Sequence, residues 1–217
     1  VSIDSSAPAR GLFIVFEGGD GAGKSTQVQR TSQWLKERNA TVLTTREPGG
    51  TQISEKLRTL VLEHGHGEID ARTEALMYAA ARAAHVQQVI VPALEAGTHV
   101  VCDRFVDSSL AYQGVGRGLG VDAVASINSF ATGGLQPDAT ILLDISAADG
   151  RSRRIAGTGG VEESDRLESE PDDFHERIRS AFADLAAQAP ERYLVIDANQ
   201  GIEQLQEQIT AHLEGLL

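Results

Sequence analysis

A mainly parallel five-stranded sheet covered by helices on both faces, a three-layer α/β/α fold, is predicted by three observations. Short apolar runs bounded by turn residues alternate with longer amphipathic stretches, the first run leads directly into a glycine-rich loop, and 217 residues suffice for one core of this kind. Residues 1–10 are small and polar around Pro8 and read as a loose tail, which leaves 11–217 as a single domain.

The apolar run 12–16 is the first strand, and the periodic stretch 24–38 after the glycines is the first helix. Residues 42–45 give the second strand. The long pattern 70–96 reads as a helix whose stripe Leu76, Ala80, Ala83, Ile90 and Leu94 faces the sheet, with a kink or early end expected at Pro92. Residues 99–102 form the third strand, 121–132 a helix and 140–145 the fourth strand. The segment 150–170 breaks the alternation. It carries basic residues, then Gly157, Gly159 and Gly160, then acids, and reads as a mobile excursion. A helix at 171–188, a strand at 194–196 and a helix at 200–216 complete the chain.

Composition narrows the partners. Nineteen lysines and arginines against 31 acids give a formal charge of -12, which disfavours general electrostatic binding to nucleic acid. No apolar run approaches the ~18 residues of a membrane span. The single Cys102 excludes an internal disulfide framework and a multi-cysteine zinc site, and the first residues lack the apolar core of a secretory signal. A soluble protein of the reducing cytoplasm, with neither nucleic-acid nor membrane partners, is expected.

Between Glu17 and Thr26 the chain reads EGGDGAGKST, matching G-x-x-x-x-G-K-S/T from Gly18 to Ser25. Gly18, Gly19, Asp20, Gly21, Ala22 and Gly23 let backbone N–H groups curl around phosphate oxygens, and the helix that follows points its positive end at the same place. Lys24 reaches the β- and γ-phosphates, Ser25 ligates magnesium, and Thr26 closes the loop. The motif specifies a nucleoside triphosphate but no acceptor.

No N-K-x-D occurs, and no D-x-x-G follows the second strand, so a GTPase is excluded. The third strand ends in Asp103 followed at once by Arg104. In an open parallel sheet both lie beyond the strand ends, beside the loop. Asp103 suits magnesium or its waters, and Arg104 can fork onto a second phosphate; a structural ion pair is the competing reading. The second strand ends in Thr45-Arg46-Glu47-Pro48-Gly49-Gly50, bringing Arg46 to the same rim. Two arginines there suggest a phosphate acceptor. Tyr78 and Arg82, four residues apart and off the predicted stripe, could offer a ring face and a donor fork to a nucleobase, or simply face solvent.

Together the loop, TREPGGT (45–51), YAAARAAH (78–85) and DRFVDSSLAYQG (103–114) resemble the thymidylate kinase family, clearly over 11–144 and more weakly beyond. The resemblance implies a P-loop kinase that moves the γ-phosphate of ATP to dTMP, with Mg2+, as a homodimer. It implies that Asp20 meets the sugar 3'-hydroxyl and helps organise magnesium. Arg46 and Arg104 would hold the dTMP phosphate, Tyr78 would stack on thymine and Arg82 would reach its O4. Ser109 and Tyr112 would contact the base and block a 2'-hydroxyl, with Gln113 adjacent.

Because Asp20 is followed by Gly21, the loop supplies no arginine of its own; Arg151, Arg153 and Arg154 resemble the lid arginines of the second type of family member. Arg153 and then Arg154 are expected at the travelling phosphoryl group, with Arg151 nearer the adenine. Arg166 is a further contact candidate, while Glu162 and Glu163 read as solvated charge. The alternatives are a kinase for another nucleoside monophosphate or a deoxynucleoside, and a catalytically silent nucleotide-binding module.

Overall fold

The structure, a computed structural model, describes residues 10–157 and 165–217. Most of the expected N-terminal tail and the spacer with Gly159, Gly160, Glu162 and Glu163 fall outside the described residues. Five strands, β1 (Phe13–Gly18), β2 (Val42–Arg46), β3 (His99–Asp103), β4 (Ala139–Asp144) and β5 (Tyr193–Asp197), form one sheet in the order β2-β3-β1-β4-β5. All neighbouring pairs are parallel.

Every residue of β1 is buried, as a strand covered on both faces requires. Ile14 and Phe16 pack into the core under α1 (Lys24–Glu37) and α9 (Ile202–Glu214), beside Leu35, Leu205 and Ile209. Phe13 and Val15 point the other way, into a cluster with Ile90, Leu94, Val100 and Phe105. A third cluster joins Leu142 to Phe174, Ile178 and Phe182 of α8 (Asp172–Gln188). Alternation along one strand thus commits both faces of the sheet.

Two helices begin on side-chain caps: Thr51 accepts from Ser54 N for α2 (Gln52–Leu62), and Asp70 accepts from the Arg72 and Thr73 N–H groups for α3 (Ala71–His85). The expected helix 70–96 is three pieces. After α3 comes a π-helical turn, Val86–Ile90, whose wide pitch lets Val91 N–H reach Val86 O, and then α4 (Val91–Glu95) with Pro92 in its first turn. Pro92 has no N–H to continue the ladder, so the break falls where its ring demands one.

That break corrects the predicted stripe. Leu76 and Ala80 are exposed, whereas Tyr78 and Arg82 are buried. A 100° projection carried through a π-turn joins two faces that are not continuous. The buried face of α3 is instead partly polar: Tyr78 and Arg82 border a cavity, and Glu74 and His85 have buried hydrogen-bond partners. Two short elements precede the rest: α5 (Val106–Ser109) and a π-helical segment Leu110–Gly116. Then follow α6 (Val121–Thr132) and α7 (Ala147–Gly157). The excursion read from 150 onward is therefore helical as far as Gly157.

Candidate active site

The chain leaves β1 toward β2 on one side of the sheet and later crosses to β4 on the other, so a crevice opens beyond the strand ends beside β1. The glycine-rich loop and the β3 end meet there, since Phe16 pairs with Asp103. Gly23, at φ 91°, precedes α1 and offers no side-chain cap. The first N–H groups of α1 thus lack a capping side chain, the arrangement that receives an anion. Lys24 is buried and folds back to donate to Gly18 O (3.0 Å) and Gly19 O (2.8 Å). Burial and the Arg104 charge lower its pKa, with Asp20 and Asp103 opposing.

Gly21 explains why no arginine follows Asp20. At φ 81° a Cβ here would stand 2.1 Å from Gly150 O, and one on Gly150 would stand 2.3 Å from Asp20 O. Two glycines let α7 pack directly on the loop. The arginines of α7 arrive by that contact. Arg153 and Arg154 line the cleft over Lys24, Ser25 and Thr26, which has a volume of about 470 Å³. Arg154 pairs with Glu168 at 3.1 Å, and Arg153 donates to Asn199 Oδ1 at 3.2 Å. Arg151 turns instead to Asp172 of α8 and is not among the residues lining that cleft.

A second cavity, of about 140 Å³, is bordered by Tyr78, Arg82, Ser109, Tyr112 and Gln113. Arg104 and Asp20 border both cavities. Arg104 ion-pairs with Asp20, donates to Ser108 Oγ at 3.0 Å and lies 3.4 Å from the Tyr112 hydroxyl. Burial opposes ionisation of Asp20, but the Arg104 and Lys24 charges outweigh it and hold its carboxyl well below the usual range. Burial keeps the phenols of Tyr78 and Tyr112 neutral far above neutral pH. Arg46, more than half exposed, stands on the rim of the larger cleft and pairs with Glu55 at 3.0 Å. Ser25 Oγ donates to Asp103 Oδ2 at 2.9 Å, so a hydroxyl and a carboxylate oxygen stand together beside the loop.

Three residues with no role assigned from sequence shape this site. Glu47, nearly fully buried, takes Arg82 Nε at 2.6 Å and His85 Nδ1 at 2.9 Å. With Ser109 Oγ, Asn128 Oδ1 and Phe105 O also accepting, four of the five Arg82 N–H donors are placed before any ligand is considered. Arg58 of α2 borders both cavities and donates to Pro48 O. Unlike these two, Glu17 lies wholly beneath the site.

Arg104 is one of two non-glycine residues in the described chain with positive φ, at 67°. Such a conformation costs about 1–2 kcal/mol and needs to be held. Arg104 N–H donates to Phe16 O at 2.8 Å, and Glu17 Oε1 takes the N–H groups of Phe105 (2.8 Å) and Ser108 (3.1 Å). Glu17 Oε2 accepts from Ser108 Oγ at 2.6 Å, the same hydroxyl that receives Arg104. The signal was present in the sequence: an acid ending a strand buried on both faces must have partners.

Burial, reinforced by Asp107 and partly offset by Arg104, pushes Glu17 up from 4.5 to about 7. Between these two values the folded chain binds this proton more tightly than the unfolded chain does. Stability from this group is therefore full below about pH 4.5 and declines as pH rises toward 7. Glu17→Gln should remove that decline, so denaturation midpoints of wild type and variant converge, or cross, between pH 5 and 7.5. Parallel profiles would contradict the assignment.

The family model described as thymidylate kinase matches residues 16–209. The thymidylate kinase of Enterococcus faecalis is 51% identical over 195 residues, covering 89% of this chain and 91% of that protein. That of Cutibacterium acnes is 47% identical over 207 residues (95% and 98%), and that of Pediococcus pentosaceus 49% over 208 (95% and 99%). With a phosphate loop, a basic helix above it and a second cavity sharing its arginine, the chain belongs to the thymidylate kinase family.

Proposed function

We infer that the chain transfers the γ-phosphoryl group of ATP to dTMP, giving dTDP and ADP. The observation that carries this is the shared border: Arg104 and Asp20 stand where the larger and smaller cavities meet. The smaller volume, about 140 Å³, is close to what a single six-membered ring fills. A pyrimidine on that side and a triphosphate on the other bring the reacting groups head to head.

An oxygen of the dTMP phosphate attacks the γ-phosphorus, and the bond to the bridging β,γ-oxygen breaks, leaving its electrons on ADP. The attacking oxygen is already anionic, so no strong base is needed, and catalysis is positioning and charge stabilisation. Lys24 and the loop N–H groups hold the β- and γ-phosphates, Arg104 and Arg46 hold the acceptor phosphate, and Arg153 and Arg154 meet the charge on the travelling group. Tyr78, Arg82, Ser109, Tyr112 and Gln113 hold the nucleoside. Arg151, facing Asp172, serves α7 from the other side. His85 holds Glu47 and Thr45 and needs no chemical role.

Ser25 and Asp103, with Asp20 nearby, offer the hard oxygen donors that suit magnesium, which keeps waters and leans on phosphate oxygens rather than on a protein cage. When bound, magnesium neutralises charge on the β- and γ-phosphates. Residues 11–217 then act as one domain, with α7 as the arginine-bearing part of a lid spanning about 150–170. No helix among the described residues is long and apolar enough to cross a membrane. The cytoplasm suits a chain with one buried cysteine.

Phe130 of α6 is 93% exposed and Leu76 of α3 56%, on helices that pack together. These exposed apolar side chains support a homodimer, and a sedimentation mass of one chain would remove it.

ADP release measured with ATP and dTMP, dCMP, UMP or thymidine tests the substrate. Release should require an acceptor and be fastest with dTMP. If dTMP were no better than the other three, the assignment would fail; release without any acceptor would indicate a different reaction.

A further inference from the structure

Glu74 stands on α3 one turn before Tyr78, has no exposed surface and is not among the residues lining the smaller cavity. A buried carboxylate persists only when its oxygens are filled, and donors to this one come from two other segments. Gln113 Nε2 donates to Oε1 at 2.8 Å, and Arg117 Nε lies 3.2 Å from Oε1 and 3.3 Å from Oε2. Arg166 Nη2 reaches Oε2 from the segment 165–170, ahead of α8. Arg166 also laces the end of α2, with Nε on Val61 O at 2.9 Å and its backbone N–H on Leu62 O at 3.0 Å. Arg166 is not among the residues lining either cavity, and its guanidinium is engaged by Glu74 and Val61. Leu62, Gln113 and Leu167, each on a segment tied by these bonds, border the smaller cavity.

The amide of Gln113 has a donor end and an acceptor end. A carboxylate held by two arginines accepts only, so it spends the NH2 end of Gln113. Oε1 accepts no hydrogen bond among the described residues, and Gln113 borders the cavity. A thymine ring carries an N–H at position 3; cytosine carries a lone pair there.

We propose that Glu74 is a positioning residue for acceptor choice: it holds Gln113 with its carbonyl end available to the base, and through Arg166 it holds segment 165–170 as a wall of the pocket. The proposal rests on the dTMP assignment above. A glutamine at position 74 can donate as well as accept, which frees the Gln113 amide to turn over and weakens the grip on both arginines.

The test is steady-state kinetics of the full chain with dTMP and dCMP. Glu74→Gln should reduce the ratio of kcat/KM for dTMP over dCMP by about tenfold, with the KM for ATP unchanged within about twofold. The ratio comes from one preparation, so partial unfolding cancels. Arg166→Ala, at a partly exposed side chain, should raise the KM for dTMP by about fivefold or more while keeping the ratio near wild type. Wild-type ratio and KM in Glu74→Gln would overturn the proposal. If that variant does not fold, an unchanged dTMP KM in Arg166→Ala would overturn it. Wild-type enzyme that showed no dTMP-dependent ADP release would instead defeat the underlying substrate assignment.

Discussion

Replacing Arg153 with alanine should lower kcat by about 10³-fold while the KM for ATP moves by less than about threefold. The travelling phosphoryl group spreads charge over its equatorial oxygens only as it transfers, so a guanidinium placed there acts chiefly on the transition state. Arg153 is the better placed of two candidates. It is exposed and donates to the uncharged amide oxygen of Asn199, a bond that costs little to exchange for one to a phosphoryl oxygen. Arg154 is less exposed and would forfeit its pairing with Glu168. Arg154→Ala is therefore expected to slow turnover less. Steady-state kinetics of both variants decides the order, and an unchanged kcat in Arg153→Ala would refute the assignment.

Arg104→Ala should reduce kcat/KM for dTMP by about 10²–10³-fold, the loss expected when one partner of a desolvated charge pair is removed. Among the described residues, Asp20 would keep Lys24, at 3.9 Å, as its one ion-pair partner. The left-handed backbone at this position would remain, so the variant inherits the strain without the contact it served. Arg104→Lys restores charge but not the fork that spans Ser108 and Asp20, and should recover only part of the loss. A fall confined to ATP binding, with dTMP kinetics intact, would place Arg104 in the wrong half of the site.

All five strands were legible because apolar runs between turn residues admit few other readings. The phosphate loop was legible because its chemistry is local: glycines, lysine and serine work through their own backbone. Residues whose meaning depends on distant neighbours were not. The helix Gln52–Leu62, which carries Arg58, is hard to read in the sequence because its apolar Ile53 and Leu60 stay exposed while Ser54 is buried. Periodicity puts Tyr78 and Arg82 opposite the core, because a polar face bordering a cavity has the same pattern as a solvent face. The burial of Arg82 follows from Glu47, Ser109 and Asn128, which lie 27 or more positions away in sequence. Glu74 carries no motif, and only the fold gathers Gln113, Arg117 and Arg166 around it.

The most direct measurement of whether two nucleotide tails meet over one crevice is binding of a molecule that joins thymidine to adenosine through a chain of phosphates. Calorimetry should give one molecule bound per chain, and kinetics should show competition with both ATP and dTMP. Competition with only one of them, or two molecules bound per chain, would mean that the two cavities do not meet at Arg104.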